Sequence, residues 1–291
     1  MLDEKLISTI AQEVMRQLQE KGYVILPDKQ YEAPLSPSGE IEDITSQSAK
    51  AKPLLTDPCD MDSLLRMKKF TNARIGVGKI GARLNTQTML AMRADHAKAR
   101  DSVFTDVSPQ LLQRMGLVEV QSKCDCKDTY VTRPDLGRKL SDEAVDTIRR
   151  SCTANPDVQI FAADGLSSSA IEANLEKLLP ILTDGLQAKG LKVGTPFYLR
   201  YGRVAAEDHV SEILGAKVVC VLIGERPGLA TAESMSAYIV YNAYVGMPEA
   251  KRTVVSNIHK DGLPAVEAGA YIVEVIDQIL QQKASGVDLR K

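Results

Sequence analysis

Residues 191–230 read LKVGTPFYLRYGRVAAEDHVSEILGAKVVCVLIGERPGLA, and the alternation of apolar and polar runs in this stretch decides the fold. Two strands are expected, Lys192–Tyr198 and Lys217–Ile223, both rich in apolar and β-branched residues. Each runs into a polar, glycine-bearing loop. The first loop is Arg200-Tyr201-Gly202-Arg203-Val204 and the second is Gly224-Glu225-Arg226-Pro227-Gly228. A helix from about Ala205 to Leu214 joins the two strands. In a parallel α/β sheet, ligands sit beyond the carboxyl ends of the strands. Both loops therefore fall on a ligand edge.

The flanking sequence extends the same pattern. PDVQIFAAD is strand-like and leads through Gly165-Leu166-Ser167-Ser168 into a helical stretch, AIEANLEKLLPILTDGLQAKG. MSAYIVYN and TVVSNI are further strands, and PAVEAGAYIVEVIDQILQQKASG is a long amphipathic helix ended by Gly286. Strands alternating with helices imply βαβ units and a parallel sheet. The fold class is α/β, with a parallel-sheet domain over 156–291.

Upstream, residues 61–155 read as mainly helical. MDSLLRMKKFT, TQTMLAMRADHAKARDSVF, SPQLLQRMG and SDEAVDTIRRSC are helices, the last capped by Ser141. LVEVQSKCDCKDTYVT is expected to form a hairpin. Residues 66–100 hold nine Lys/Arg and a single acid, Asp95. This local excess of +8 is either a solvated face or a surface for an acidic partner or phosphate groups. A single aromatic, Phe70, is interleaved with it, which argues against nucleic acid. At the N-terminus, residues 3–20 place Leu6, Ile7, Ile10, Val14 and Leu18 at helical spacing behind Asp3. Prolines 27, 34, 37, 53 and 58 then give linker composition. A short amphipathic helix on such a tether binds a partner. The division is thus a helix over 1–22, a linker over 23–60, a mainly helical domain over 61–155 and a sheet domain over 156–291.

Composition excludes several classes. With 291 residues the chain can bury a sizeable core. A net charge of −2 leaves no global field that demands nucleic acid or membrane. Aromatics make up 4% and tryptophan is absent, which weakens base-stacking and carbohydrate-platform readings. No apolar run approaches the roughly 20 residues of a membrane span. Five scattered cysteines suit a reducing compartment. Cys124-Asp125-Cys126 has no second pair at zinc-ligand spacing and reads as plain thiols.

Gly76-Val77-Gly78-Lys79-Ile80-Gly81 spells G-x-G-x-x-G, but no βαβ unit surrounds it, so a glycine-rich turn is expected. Asp164-Gly165-Leu166-Ser167 stands between strand and helix. There it is either a capped turn or a seat for a polar ligand group. Of the three histidines, His96 reads as a salt-bridge or cap partner and His209 as surface; none has metal spacing. No D-x-H-x-x-G sequence occurs, so this chain would supply no axial histidine to a corrinoid. Glu225 follows an apolar strand and is flanked by glycines. A carboxylate so placed accepts hydrogen bonds from a ligand, or else pairs with Arg226 or Arg200.

Several blocks occur together in a fixed order: Arg93-Ala94-Asp95-His96-Ala97, Thr132-Arg133-Pro134-Asp135-Leu136-Gly137-Arg138, Ala154-Asn155-Pro156-Asp157-Val158-Gln159, Asp164-Gly165-Leu166-Ser167, Val193-Gly194-Thr195-Pro196-Phe197, Arg200-Tyr201-Gly202-Arg203-Val204, Gly224-Glu225-Arg226-Pro227-Gly228-Leu229 and Ser256-Asn257-Ile258-His259. From about residue 65 onward the chain resembles the small (light) subunit of ethanolamine ammonia-lyase. One block departs. Relatives commonly read Gly-Arg-Ala-Gly-x-Arg-Pro where this chain has Gly78-Lys79-Ile80-Gly81-Ala82-Arg83-Leu84, so the G-x-G-x-x-G match is incidental.

The resemblance implies one half of an adenosylcobalamin-dependent lyase that converts ethanolamine to acetaldehyde and ammonia. The large subunit, a TIM barrel, would carry the substrate and most of the radical chemistry. This chain would hold the cobalamin against the barrel mouth with a Rossmann-like C-terminal domain, in a hexamer of large–small pairs. The resemblance carries cobalamin contacts over to Val204, Glu225 and Val254. Some relatives have Cys at the last position, and a backbone contact there survives the exchange. No catalytic residue and no metal ligand is expected in this chain. The N-terminal helix would address the chain to the shell of a bacterial microcompartment in the cytoplasm. The rival readings are a free-standing α/β enzyme with a site near Asp164 and Glu225, and a non-catalytic scaffold subunit.

Overall fold

The computed structural model describes residues 16–17, 43–55, 57–71 and 73–290. The chain divides into two units, Met1–Asp43 and Ile44–Lys291. The helix expected over 3–20 lies outside the described residues, apart from the helical Arg16 and Gln17. Residues 23–42 of the expected linker lie outside them entirely.

Local signals account for most elements of the second unit. Helix α1 (Gln47–Ala51) is capped by Ser46, and α2 (Met61–Lys68) by Asp60, whose Oδ1 accepts from Ser63 N at 2.9 Å. Strands β1 (Lys79–Ile80) and β2 (Arg83–Leu84) form a hairpin. Gly81 takes the positive φ, +63°, that this tight turn needs. The glycine-rich stretch is therefore a turn, as expected. Asn85 caps α3 (Thr86–Phe104), and Ser108 caps α4 (Pro109–Arg114), which carries a proline in its first turn. Strand β3 (Val118–Gln121), α5 (Lys127–Thr132) and α6 (Asp142–Ser151) follow, and Ser141 caps α6. Then come β4 (Val158–Ala163), α7 (Ser168–Ala188), β5 (Phe197–Arg200), α8 (Ala206–Leu214), β6 (Val218–Gly224), β7 (Met235–Tyr241), β8 (Thr253–Ile258) and α9 (Ala265–Gln282).

The fold is mixed α/β, with a six-stranded sheet in the order β3-β5-β4-β6-β7-β8. The first four strands are parallel, but β7 and β8 run antiparallel. The expected parallel sheet is corrected at this edge. Parallel return requires a crossover of a dozen or more residues, usually a helix. The β6–β7 connection over 225–234 is too short and has no helix, so the chain turns straight back.

Three local expectations also shift. The hairpin expected over 117–132 is a single strand followed by α5. The partner of β3 is the distant β5, with Val118 opposite Phe197. The strand expected over Lys192–Tyr198 begins at Phe197. Pro196 cannot donate to a ladder, and Val193 makes only an isolated bridge to Val158. Helix α9 stops at Lys283, which adopts the left-handed conformation, three residues before Gly286.

Strands β4 and β6 are buried along their whole length, which is why both read as unbroken apolar runs. Val218, Cys220 and Leu222 face α7 and α9. Val219, Val221 and Ile223 face the opposite side, against α6 and α8. The period of two thus splits each strand between two cores and carries the loops to one end of the sheet.

Candidate functional site

Three strand ends meet at the carboxyl edge. After β4 comes Asp164, fully buried. Its Oδ2 accepts from Lys127 Nζ at 2.8 Å and its Oδ1 from Tyr201 N at 2.8 Å. Lys127 lies 5.3 Å from the Tyr130 ring centroid and 5.2 Å from that of Tyr201. Burial pushes the Asp164 carboxyl up, and the Lys127 charge opposes the shift without cancelling it. Ser167 Oγ accepts from Ala170 N and donates to Ala232 O. Asp164-Gly165-Leu166-Ser167 is therefore a capped turn whose polar groups are used within the chain. It does not form a ligand seat.

After β5, Arg200 pairs with Asp106 and Glu119, which leaves it no role as the partner of Glu225. Arg203 lies over the Tyr130 ring at 4.2 Å and donates to Tyr130 O at 2.8 Å. Val204 is half-buried at the entry to α8, and its carbonyl accepts from Glu207 N at 3.1 Å.

After β6, Glu225 is half-buried and its carboxylate is fixed by three donors. Ser234 Oγ donates to Oε2 at 2.8 Å, and Ser236 Oγ donates to Oε1 at 2.5 Å. Asn257 N also donates to Oε1, at 2.9 Å. A carboxylate has about four acceptor positions, so one is left for a group outside the chain. Val254 lies opposite Tyr238, which lies opposite Val221. These three side chains share the α8 face of the sheet. So does Ser236, paired with Ile223, and with it the Glu225 carboxylate. Val204 packs on the same core. Helix α8 packs on β6, and the face over β8 is left open, with Val254 44% exposed. Val204, Glu225 and Val254 therefore lie on one side of the sheet, with Glu225 just past the carboxyl end of β6 and Val254 level with the middle of that strand. Asn257 also lines a cavity of about 610 Å³, walled by Lys50, Arg74, Asp95 and Leu229 among others. That volume is within the range of small-molecule sites.

Beneath this face lies a charge cluster that sequence reasoning missed. Arg252 Nη1 is 3.0 Å from Asp208 Oδ1 and 3.6 Å from Glu207 Oε2, and Arg252 Nε is 2.9 Å from Glu249 Oε2. Glu207 is fully buried, and burial drives its carboxyl well above the usual range despite Arg252. Acids in a helix's first turn look like ordinary complements to its dipole, so nothing in the local sequence marked them. The helix position of Asp208-His209 reads as surface. Asp208 is buried, and His209 is half-buried, with Nδ1 accepting from Leu140 N at 3.1 Å. In the Arg93-Ala94-Asp95-His96 block the ion-pair role falls to Asp95, which holds Lys50 and Arg74, while His96 is exposed. His259 Nδ1 accepts from Asp261 N, so its Nε2 carries the proton donated to Asn257 Oδ1 at 2.8 Å. The five cysteines are free thiols. Among the described residues no group of three His, Cys, Asp or Glu is placed to hold a metal, and no helix is long and apolar enough to cross a membrane.

The family model described as "Ethanolamine ammonia-lyase light chain (EutC)" matches residues 61–290. The chain is 49% identical over 287 residues to the ethanolamine ammonia-lyase small subunit of Fusobacterium nucleatum, covering 99% of this chain and 97% of that one. It is 50% identical to the small subunit of Clostridium tetani over 294 residues, the full length of both. It is 51% identical to that of Clostridium perfringens over 287 residues, covering 99% and 97% respectively.

Proposed function

This chain belongs to the ethanolamine ammonia-lyase small-subunit family, and on that premise we propose that it holds adenosylcobalamin against the large subunit. It is a subunit of a lyase, and the reaction is the work of the complex. The observation that carries the reading is Glu225, fixed by Ser234, Ser236 and Asn257 with an acceptor position to spare. The residues present fit a corrinoid. Its ring is edged with methyl groups, which suit the exposed Val254 and half-buried Val204. Its amide side chains are N–H donors, which suit a carboxylate.

When bound, adenosylcobalamin supplies a cobalt–carbon bond that breaks to give a radical. The residues of this chain bind, orient and exclude water. Val204, Glu225 and Val254 form one wall, and no residue acts as acid, base or nucleophile. The same reading makes 1–22 a targeting helix for a microcompartment shell, 23–60 a linker, 61–155 a mainly helical domain and 156–291 a Rossmann-like domain. The four parallel strands β3, β5, β4 and β6 support the last assignment. The complex is a hexamer of large–small pairs in the bacterial cytoplasm, enclosed in the ethanolamine-utilisation microcompartment.

The test is cobalamin titration of the reconstituted large–small complex. Glu225→Ala should weaken affinity by about tenfold or more, since a hydrogen bond to a charged group is worth roughly 1.5–3 kcal/mol. The variant also loses three hydrogen bonds within the chain, so its affinity is read well below its own melting temperature. Wild-type affinity in the variant would overturn the reading.

A further inference from the structure

Residues 44–104 carry their large apolar side chains on the outside. Among the described residues, ten of the eighteen exposed large apolar side chains fall in this stretch. Phe70 is 86% exposed, Leu90 48% and Phe104 46%. Helix α3 inverts the usual arrangement. It buries Thr88, Asp95, Ala99 and Ser102, small or polar residues. Met89, Arg93, Arg100 and Phe104 are exposed, and their spacing returns to one helix face. A helix that meets only water on its outer side shows the opposite pattern. Methionine, arginine and aromatic residues are instead the types enriched where protein–protein interfaces bury their centres. Arg100 lies over the Phe104 ring at 5.8 Å, which keeps the two in one patch.

Charge gives the sign of whatever covers this face. Asp95 is the single acid among residues 66–100, and it is buried and engaged by Lys50 and Arg74; the exposed Asp101 is the one other acid on α3. Lys69, Lys79, Arg83, Arg93, Lys98 and Arg100 are exposed around the apolar stripe. The matching surface is apolar at its centre and acidic at its rim. The patch also reaches the loop that carries Glu225. Leu229, which follows Glu225 in the β6–β7 loop, lines one recess with Leu84, Met89 and Met92.

We infer that the outward stripe of α3 is the surface on which the large subunit docks. This deepens the subunit reading and rests on it, because a small subunit must present one face to its larger partner.

The test is co-purification and size-exclusion of the full chain with the large subunit. Met89→Glu and Phe104→Glu, on exposed helix positions, should weaken association at least tenfold without lowering the melting temperature. Arg93→Glu should do the same, and raising the salt concentration should weaken the wild-type complex. Val266→Glu and Tyr271→Glu, on the exposed face of α9 and each 56% exposed, should associate normally. Wild-type association by the α3 variants, or equal loss in the α9 controls, overturns the surface alone. A wild-type chain that does not associate with the large subunit overturns the subunit reading and this surface with it.

Discussion

Lys127 Nζ lies 2.8 Å from Asp164 Oδ2, and the two residues are 37 apart in sequence. The Asp164 side chain has no exposed surface and that of Lys127 only 10%. The pair ties α5 to the end of β4. Removing one partner of a buried pair strands the other charge, at about 3–5 kcal/mol. Lys127→Ala should lose stability on that scale in denaturant unfolding. Adding Asp164→Asn should restore part of it.

Glu207 sets a pH dependence. Two buried carboxyls, Glu207 and Asp208, face the single guanidinium of Arg252, and burial raises the Glu207 carboxyl well above 4.5. A carboxyl whose folded pKa is raised binds its proton more tightly in the folded chain. Its contribution is complete below pH 4.5 and is lost as pH rises through the folded value. In Glu207→Gln the melting temperature should fall less steeply with rising pH than in the wild type.

Gly224 has no space for a side chain. A Cβ there would meet Ser167 O at 2.1 Å and Asp164 O at 2.5 Å, and both are backbone atoms. Gly224→Ala should cost about 1–3 kcal/mol or more, the range for forced overpacking. Because Glu225 is the next residue, cobalamin binding by the complex should weaken as well. Thermal unfolding and cofactor titration read the two effects separately.

The serines behind Glu225 should have smaller effects. Ser234→Ala and Ser236→Ala each remove one donor to its carboxylate. At about 1 kcal/mol per hydrogen bond, each should weaken cobalamin binding roughly fivefold, less than Glu225→Ala. A serine variant that matches Glu225→Ala would show that the serines act on the ligand directly.

What was legible in the chain follows from distance along it. Strands β4 and β6 show as apolar runs because both faces are buried, and Ser141 marks the start of α6 because its cap is local. The pairing of β3 with β5 could not be read, because Val118 meets Phe197 only through the fold. Nor could the reversal at β7, which depends on a short connection that a strand pattern does not reveal. Glu225 stood out as an acid at a strand end, but two of its donors come back on β7 and its lead-in, and the third on β8. Arg252 reaches Asp208 across 44 residues, so that cluster left no local trace. Val204 and Val254 were reached through resemblance, since an apolar side chain carries no chemical mark of what it touches.

The three donors to Glu225 have a thermodynamic consequence. A free glutamate samples many rotamers, and immobilising a side chain of that length costs up to about 1.5–2 kcal/mol. Here Ser234, Ser236 and Asn257 select the rotamer when the chain folds. That entropy is spent once, in folding, and is not charged again when a ligand arrives. A donor arriving from outside would therefore meet a carboxylate that is already oriented.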